Sequence, residues 1–246
     1  MAEDHELAAL GIRRIAIDTD PDELVLPEES GQRLGWIAGW LSQPPFIFRE
    51  WGLSRFVDGG LRALFVGASG TGKTMAAVAL AKSAGFDLYR VDMSAVAGKY
   101  AGETEKNLSA LFAMADEERA ILMFDEAADV DGLLRRIEPF DGLAILAAHQ
   151  AGGVGQGALG RIDVLVDFPM PDPAARAAIW GKLLAAVKLH KSDKLDLALL
   201  ARHQLSGAEI LRSVRMASLL AAGEERALDF EHLQAAAAER IAMRRE

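Results

Sequence analysis

Five short apolar runs constrain this chain more than any other feature. They are "LRALFVG" from Leu61, "DLYRVDM" from Asp87, "AILMFDE" from Ala120, "LAILAAH" from Leu143 and "RIDVLVDFP" from Arg161. Helical stretches separate them. Runs that stay apolar, rather than alternating, belong to strands buried on both faces, and strands spaced by helices form a parallel sheet. The expectation is therefore an α/β fold with a five-stranded parallel sheet. After "FPMPDP" the strand signals stop, and the remainder reads as helices over 173–187, 195–201, 206–222 and 229–244. The third opens on "SGAE", where Ser206 and Glu209 form a capping box that satisfies orphan amides.

Three segments follow from this pattern: 1–60 as lead-in and helix, 61–171 as the α/β core, and 172–246 as a small all-helical domain. Up to about residue 28 the chain is polar and acidic, and Pro21 and Pro27 argue for an extended lead-in. Leu34, Ile37, Trp40 and Leu41 have helical spacing and predict a helix over 30–41, closed by "QPP".

Composition removes several classes of function. No apolar run approaches the ~20 residues of a membrane span, and the acidic start "MAEDHELAAL" lacks the order of a secretion signal. The absence of cysteine excludes disulfides and thiolate metal sites and suits the cytoplasm. A net charge of −9, from 27 basic and 36 acidic residues, disfavours non-specific nucleic-acid binding.

"GASGTGKT" comprises Gly67, Ala68, Ser69, Gly70, Thr71, Gly72, Lys73 and Thr74, and matches G-x-x-x-x-G-K-[ST] without a mismatch. It follows an apolar run and enters a helix at "TMAAVALAKSA", with Met75 next in line. Its glycines let backbone amides turn toward phosphates, and the helix N-terminus adds partial positive charge. Lys73 is placed for the β- and γ-phosphates, and the Thr74 hydroxyl for Mg²⁺. About fifty residues on, "ILMF" ends in Asp125 and Glu126. Asp125 suits Mg²⁺ held through water, and Glu126 suits a base that orients and deprotonates an attacking water. The expected ligands are a nucleoside triphosphate and Mg²⁺.

Between these motifs stands "GKYAGETEKNL", and with it the chain resembles AAA+ ATPases of the AAA subfamily, bacterial members in particular. "GRID" ahead of "DFPMPD", and "SGAEI", extend the resemblance over roughly 20–240. It implies a P-loop NTPase sheet in strand order 5-1-4-3-2, with the C-terminal helices as a lid. It also implies a homo-oligomeric ring, six subunits favoured, that hydrolyses ATP and acts on a protein substrate. In such a ring Arg161 would complete the neighbour's site; otherwise it is a solvated residue ahead of a strand. Lys99 and Tyr100 would face the pore, or Tyr100 would pack on its own loop. Gly207 and Ala208 would approach the nucleotide, and residues 22–26 would border the adenine.

The chain departs from that family in four places. Only fifteen residues, 127–141, join Glu126 to the next strand. That suffices for a crossover of ~10–12 residues, but leaves little chain for a second pore-facing loop. His149 stands where relatives carry an asparagine; it either takes over the contact to the γ-phosphate and water or bonds to backbone. "AGGVGQGALG" puts five glycines before Arg161 where relatives use a helix, so that arginine is expected to be held loosely unless a neighbouring subunit orders the segment. Val164 replaces a second arginine, and Arg212 and Arg215 read as solvated or paired. Three classes of function follow: a slow ATP-driven protein remodeller, a nucleotide-binding assembly module, and, disfavoured by charge, a DNA-remodelling ATPase.

Overall fold

The structure is a computed structural model that describes residues 11–18, 20–43, 50–52, 60–96, 103–125, 130–150, 155–188 and 195–244. The chain divides into two compact units. One comprises Met1–Pro21, Pro27–Gly67 and Lys73–Phe168; the other comprises Asp22–Leu26, Ala68–Gly72 and Pro169–Glu246.

The first unit is built on one sheet. Its strands are β1 (Ile12–Arg14), β2 (Leu61–Val66), β3 (Asp87–Val91), β4 (Ala120–Phe124), β5 (Leu143–Ala148) and β6 (Val164–Asp167), in the order β1-β3-β4-β5-β2-β6. The five strands from β2 onward pair in parallel. Numbered from β2, they have the expected order 5-1-4-3-2. The expectation of five strands is corrected to six. β1 lies antiparallel to β3 at the edge, with Ile12 opposite Val91 and Arg14 opposite Tyr89. Ile12 is buried, the Ile15 amide donates to the Leu88 carbonyl at 2.8 Å, and Arg14 pairs with Asp87 at 2.6 Å. A bare edge strand offers a row of unmet backbone groups, and this short charged strand covers it.

Every residue of β4 and β5 is buried, as two-sided cover requires. On one face Leu64, Val66, Leu122, Phe124, Leu146 and Ala148 pack with α4 (Glu103–Glu117), α5 (Val130–Ile137) and α6 (Gln156–Leu159). The alternate residues Ala63, Phe65, Ile121 and Ile145 are buried on the opposite face. There α1 (Glu28–Leu41) and α2 (Lys73–Ala84) meet the sheet. α1 starts earlier than expected and is tied to the strand beside it: Ser30 Oγ donates to the Asp167 carbonyl at 2.7 Å and Arg33 Nη1 to the Leu165 carbonyl at 2.5 Å. A short α3 (Met93–Val96) follows β3.

The shortened crossover keeps α5 as an eight-residue helix. Buried Arg62 of β2 fastens its end: Nη2 donates to the Glu138 carbonyl at 3.0 Å and to the Phe140 carbonyl at 2.7 Å. Carbonyls beyond a helix C-terminus lack intrahelical donors, and a cation there also opposes the helix dipole.

The second unit carries α7 (Pro173–Ala186), α8 (Leu197–Leu200), α9 (Gly207–Gly223) and α10 (Phe230–Ala242) around Trp180, Leu200, Leu205, Ile210, Val214 and Leu233. Asp172, Asp196 and Asp229 cap three of these helices, accepting from Ala175, Leu199 and His232 amides at 2.7, 3.0 and 3.1 Å. Side-chain acceptors at this position satisfy donors that the first turn cannot. No described helix is long and apolar enough to cross a membrane.

Candidate nucleotide site

In a parallel sheet the C-terminal ends of all strands lie along one edge, where ligands of such folds collect. At this edge β2 runs into Gly67, β4 into Asp125 and β5 into His149. The strand-to-helix turn from Gly67 to Lys73 has a backbone that only glycine tolerates well. Gly70 has φ 79° and Gly72 has φ 111°. A β-carbon on Gly67 would lie 2.2 Å from the Phe168 carbonyl oxygen, so the turn begins wedged against the chain after β6. The Gly67 amide donates to the Ala148 carbonyl at 3.0 Å, the Thr71 hydroxyl to the Ala68 carbonyl at 2.8 Å, and Lys73 Nζ to the Gly67 carbonyl at 2.5 Å. α2 starts at Lys73, so its first-turn amides and the positive end of its dipole face the turn. Thr74 is exposed and Met75 half-buried.

In the second unit the middle of the same turn packs on the start of α9. The Ala208 amide donates to the Gly70 carbonyl at 3.0 Å. A β-carbon on Gly70 would lie 2.8 Å from both Ala208 Cβ and Ser206 Oγ. One on Gly207 would come within 3.4 Å of the Gly70 carbonyl oxygen, and one on Gly72 within 3.4 Å of Leu24 Cδ1. Gly207 and Ala208 therefore lie against the turn itself, and Leu24, within the segment 22–26, comes close to its far end.

Asp125 is one-fifth exposed, and its Oδ2 lies 2.5 Å from Arg90 Nη2. Sequence reasoning missed Arg90. The signal was a cation inside an otherwise apolar run, and the β3–β4 register, with Val91 opposite Phe124, makes it the neighbour of Asp125. His149 is exposed directly after β5. Arg161 is exposed on the turn after α6, yet its backbone is anchored on either side, contrary to the expectation of a loose hold. Its amide donates to the Ala158 carbonyl at 3.0 Å, and Ala158 is buried in the sheet core. Asp163 Oδ2 accepts from the Arg62 amide at 2.7 Å. Val164 opens β6 half-buried, and Arg212 and Arg215 are exposed on α9. Glu126, Lys99 and Tyr100 lie outside the described residues.

A strand-to-helix glycine turn with a lysine and a threonine at the helix start, on the same sheet edge as an aspartate, is an arrangement for a phosphate chain and its metal. Over these residues the chain is similar to the AAA family of ATPases. Residues 63–170 match the family described as "ATPase family associated with various cellular activities". The chain is 27% identical over 189 residues to the probable 26S proteasome regulatory subunit 4 of Caenorhabditis elegans, covering 66% of this chain and 43% of that one. It is 29% identical over 201 residues to the 26S proteasome regulatory subunit 4 homolog of Oryza sativa subsp. japonica, covering 70% and 45%. A proteasome-activating nucleotidase of Saccharolobus solfataricus is 29% identical over 192 residues, covering 68% and 48%. The chain thus spans about half the length of the curated relatives it matches.

The donor set fits a magnesium nucleotide. Thr74 and Asp125 offer hard oxygen ligands, as Mg²⁺ requires, and Mg²⁺ normally takes only one or two protein ligands beside phosphates and water.

Proposed function

We propose that this chain is the ATP-hydrolysing motor domain of a cytoplasmic AAA+ protein that works on protein substrates. It assembles as a ring of its own copies, six favoured, and turns over slowly. The observation that carries the reading is the Gly67–Thr74 turn, with Gly70 and Gly72 at positive φ, which favours glycine, and Lys73 opening α2. The relatives' names, a proteasome regulatory subunit and a proteasome-activating nucleotidase, support a protein rather than a nucleic acid as substrate. The net charge of −9 agrees.

In this reading the turn's amides and Lys73 bind the phosphates, and Gly207, Ala208 and residues 22–26 border the nucleoside. Mg²⁺ held by the Thr74 hydroxyl and, through water, by Asp125 would neutralise charge on the β- and γ-phosphate oxygens. Glu126 takes a proton from the water that attacks the γ-phosphorus. The leaving oxygen stays on ADP, and inorganic phosphate departs. Arg161 of a neighbouring copy stabilises the charge that spreads over the transferred group, a role worth about 10³–10⁵ in rate in comparable systems. Lys99 and Tyr100 grip the substrate polypeptide.

A second reading is an assembly module in which ATP stabilises the oligomer with little turnover. His149 at the end of β5, Val164 in place of an arginine and the eight-residue α5 favour it. Phosphate release by wild type and Glu126→Gln, with particle size in ATP and in ADP, decides between the two. Release lowered by about 10²–10⁴ in the variant supports the motor. Tight ATP binding without release supports the assembly module. Protein that binds no ATP–Mg²⁺ at millimolar concentration overturns both.

A further inference from the structure

We propose that Arg244, just past α10, is a positioning residue for the nucleotide turn. This rests on the reading of Gly67–Thr74 as the phosphate site. Arg244 Nε donates to Glu209 Oε1 at 2.5 Å, its Nη2 donates to Glu209 Oε2, and its Nη1 donates to the Gln204 carbonyl at 3.0 Å. Glu209 Oε2 also accepts from the Ser206 amide at 2.7 Å and from its hydroxyl at 2.8 Å. Ser206 is 3% exposed, and its Oγ is one of the two atoms that a β-carbon on Gly70 would strike at 2.8 Å. Three links therefore join a half-exposed guanidinium to the tip of the glycine turn.

A capping box needs only its serine and glutamate. Here the glutamate is additionally gripped in a two-pronged fork, the geometry in which an arginine–carboxylate pair is strongest and most directional. The bond to Gln204 ties the incoming chain to the same guanidinium, so the stretch 204–209 is held as one piece. That stretch presents the Ala208 amide to the Gly70 carbonyl. In a planar trans peptide the carbonyl of Gly70 and the amide of Thr71 point in opposite directions. Holding the carbonyl on Ala208 thus aims the Thr71 amide away from α9, and Thr71 is one of the residues whose amide would meet phosphate. Arg244 fixes the direction of a phosphate-binding donor without touching the nucleotide.

The test measures affinity for ATP–Mg²⁺ and for ADP, with melting temperature, in R244M, R244K, E209Q and the R244M/E209Q double variant. Arg244 is 40% exposed, so its substitution leaves the fold intact. R244M should weaken both nucleotides about three- to tenfold. R244K should recover part of that loss, since it keeps the charge and loses the fork. The double variant should be no weaker than E209Q within about twofold, because the two residues act through one link. Nucleotide affinity in R244M within twofold of wild type overturns the proposal. So does a loss that adds fully to that of E209Q and follows the melting temperature alone. Wild type that binds no nucleotide overturns the reading of the turn, and this inference with it; wild-type binding unchanged in R244M overturns only the inference.

Discussion

The glycine turn and the region that carries Asp125, His149 and Arg161 are built in opposite ways. In the turn, the backbone does the positioning. Gly67 is wedged on the Phe168 carbonyl, and Gly70 and Gly72 hold conformations that other residues rarely adopt. In the second region, exposed side chains at strand ends and turns carry the functional groups: His149 after β5, Arg161 after α6, and Asp125 paired with Arg90. A site made of backbone tolerates almost no substitution. A site made of side chains can exchange one group for another and change its rate while keeping its fold.

Three substitutions sharpen that contrast. Gly67→Ala should cost the most, about 3 kcal/mol of stability, the upper range for overpacking, because the obstructing atom is main chain and cannot swing aside. Chemical denaturation measures it, and a loss under about 0.5 kcal/mol would break the comparison. His149→Asn should leave stability within about 0.5 kcal/mol. If His149 contacts the γ-phosphate, the variant releases phosphate at a rate about tenfold or more different from that of wild type. Equal rates for both would assign His149 to the backbone instead.

The third substitution concerns Glu209, in the helical unit. Burial pushes its carboxyl upward, but hydrogen bonds from Arg244 and from the Ser206 amide and hydroxyl outweigh this and leave it below its ordinary value. A carboxylate lowered in the folded state stabilises above the unfolded value of about 4.3, and that contribution disappears as pH falls through the folded value. As pH falls below about 4.3, wild type should therefore lose more stability than Glu209→Gln does. Parallel acid-denaturation curves would show that the carboxylate contributes nothing.

Which parts were legible follows from the same contrast. The glycine turn could be read because its requirement is local: a strand, a fixed glycine spacing and a helix start are written in eight consecutive letters. The capping box at Ser206 was local too. The anchoring of Arg161 was not, since five glycines suggest looseness while the hold comes from Ala158 in the sheet core and Asp163 on the Arg62 backbone. Arg90 beside Asp125 required the β3–β4 register. The Arg244–Glu209 pair spans 35 positions that no periodicity connects.

By itself, then, the sequence determined the five parallel strands, the turn at the end of the first and the helical remainder, because apolar runs and glycine spacing act over a few residues. Only the tertiary structure decided the sixth strand. Ile12–Arg14 is three residues long, with two arginines, and has no pattern of its own. It becomes a strand because β3 presents an open edge, and backbone amides and carbonyls left there must find partners.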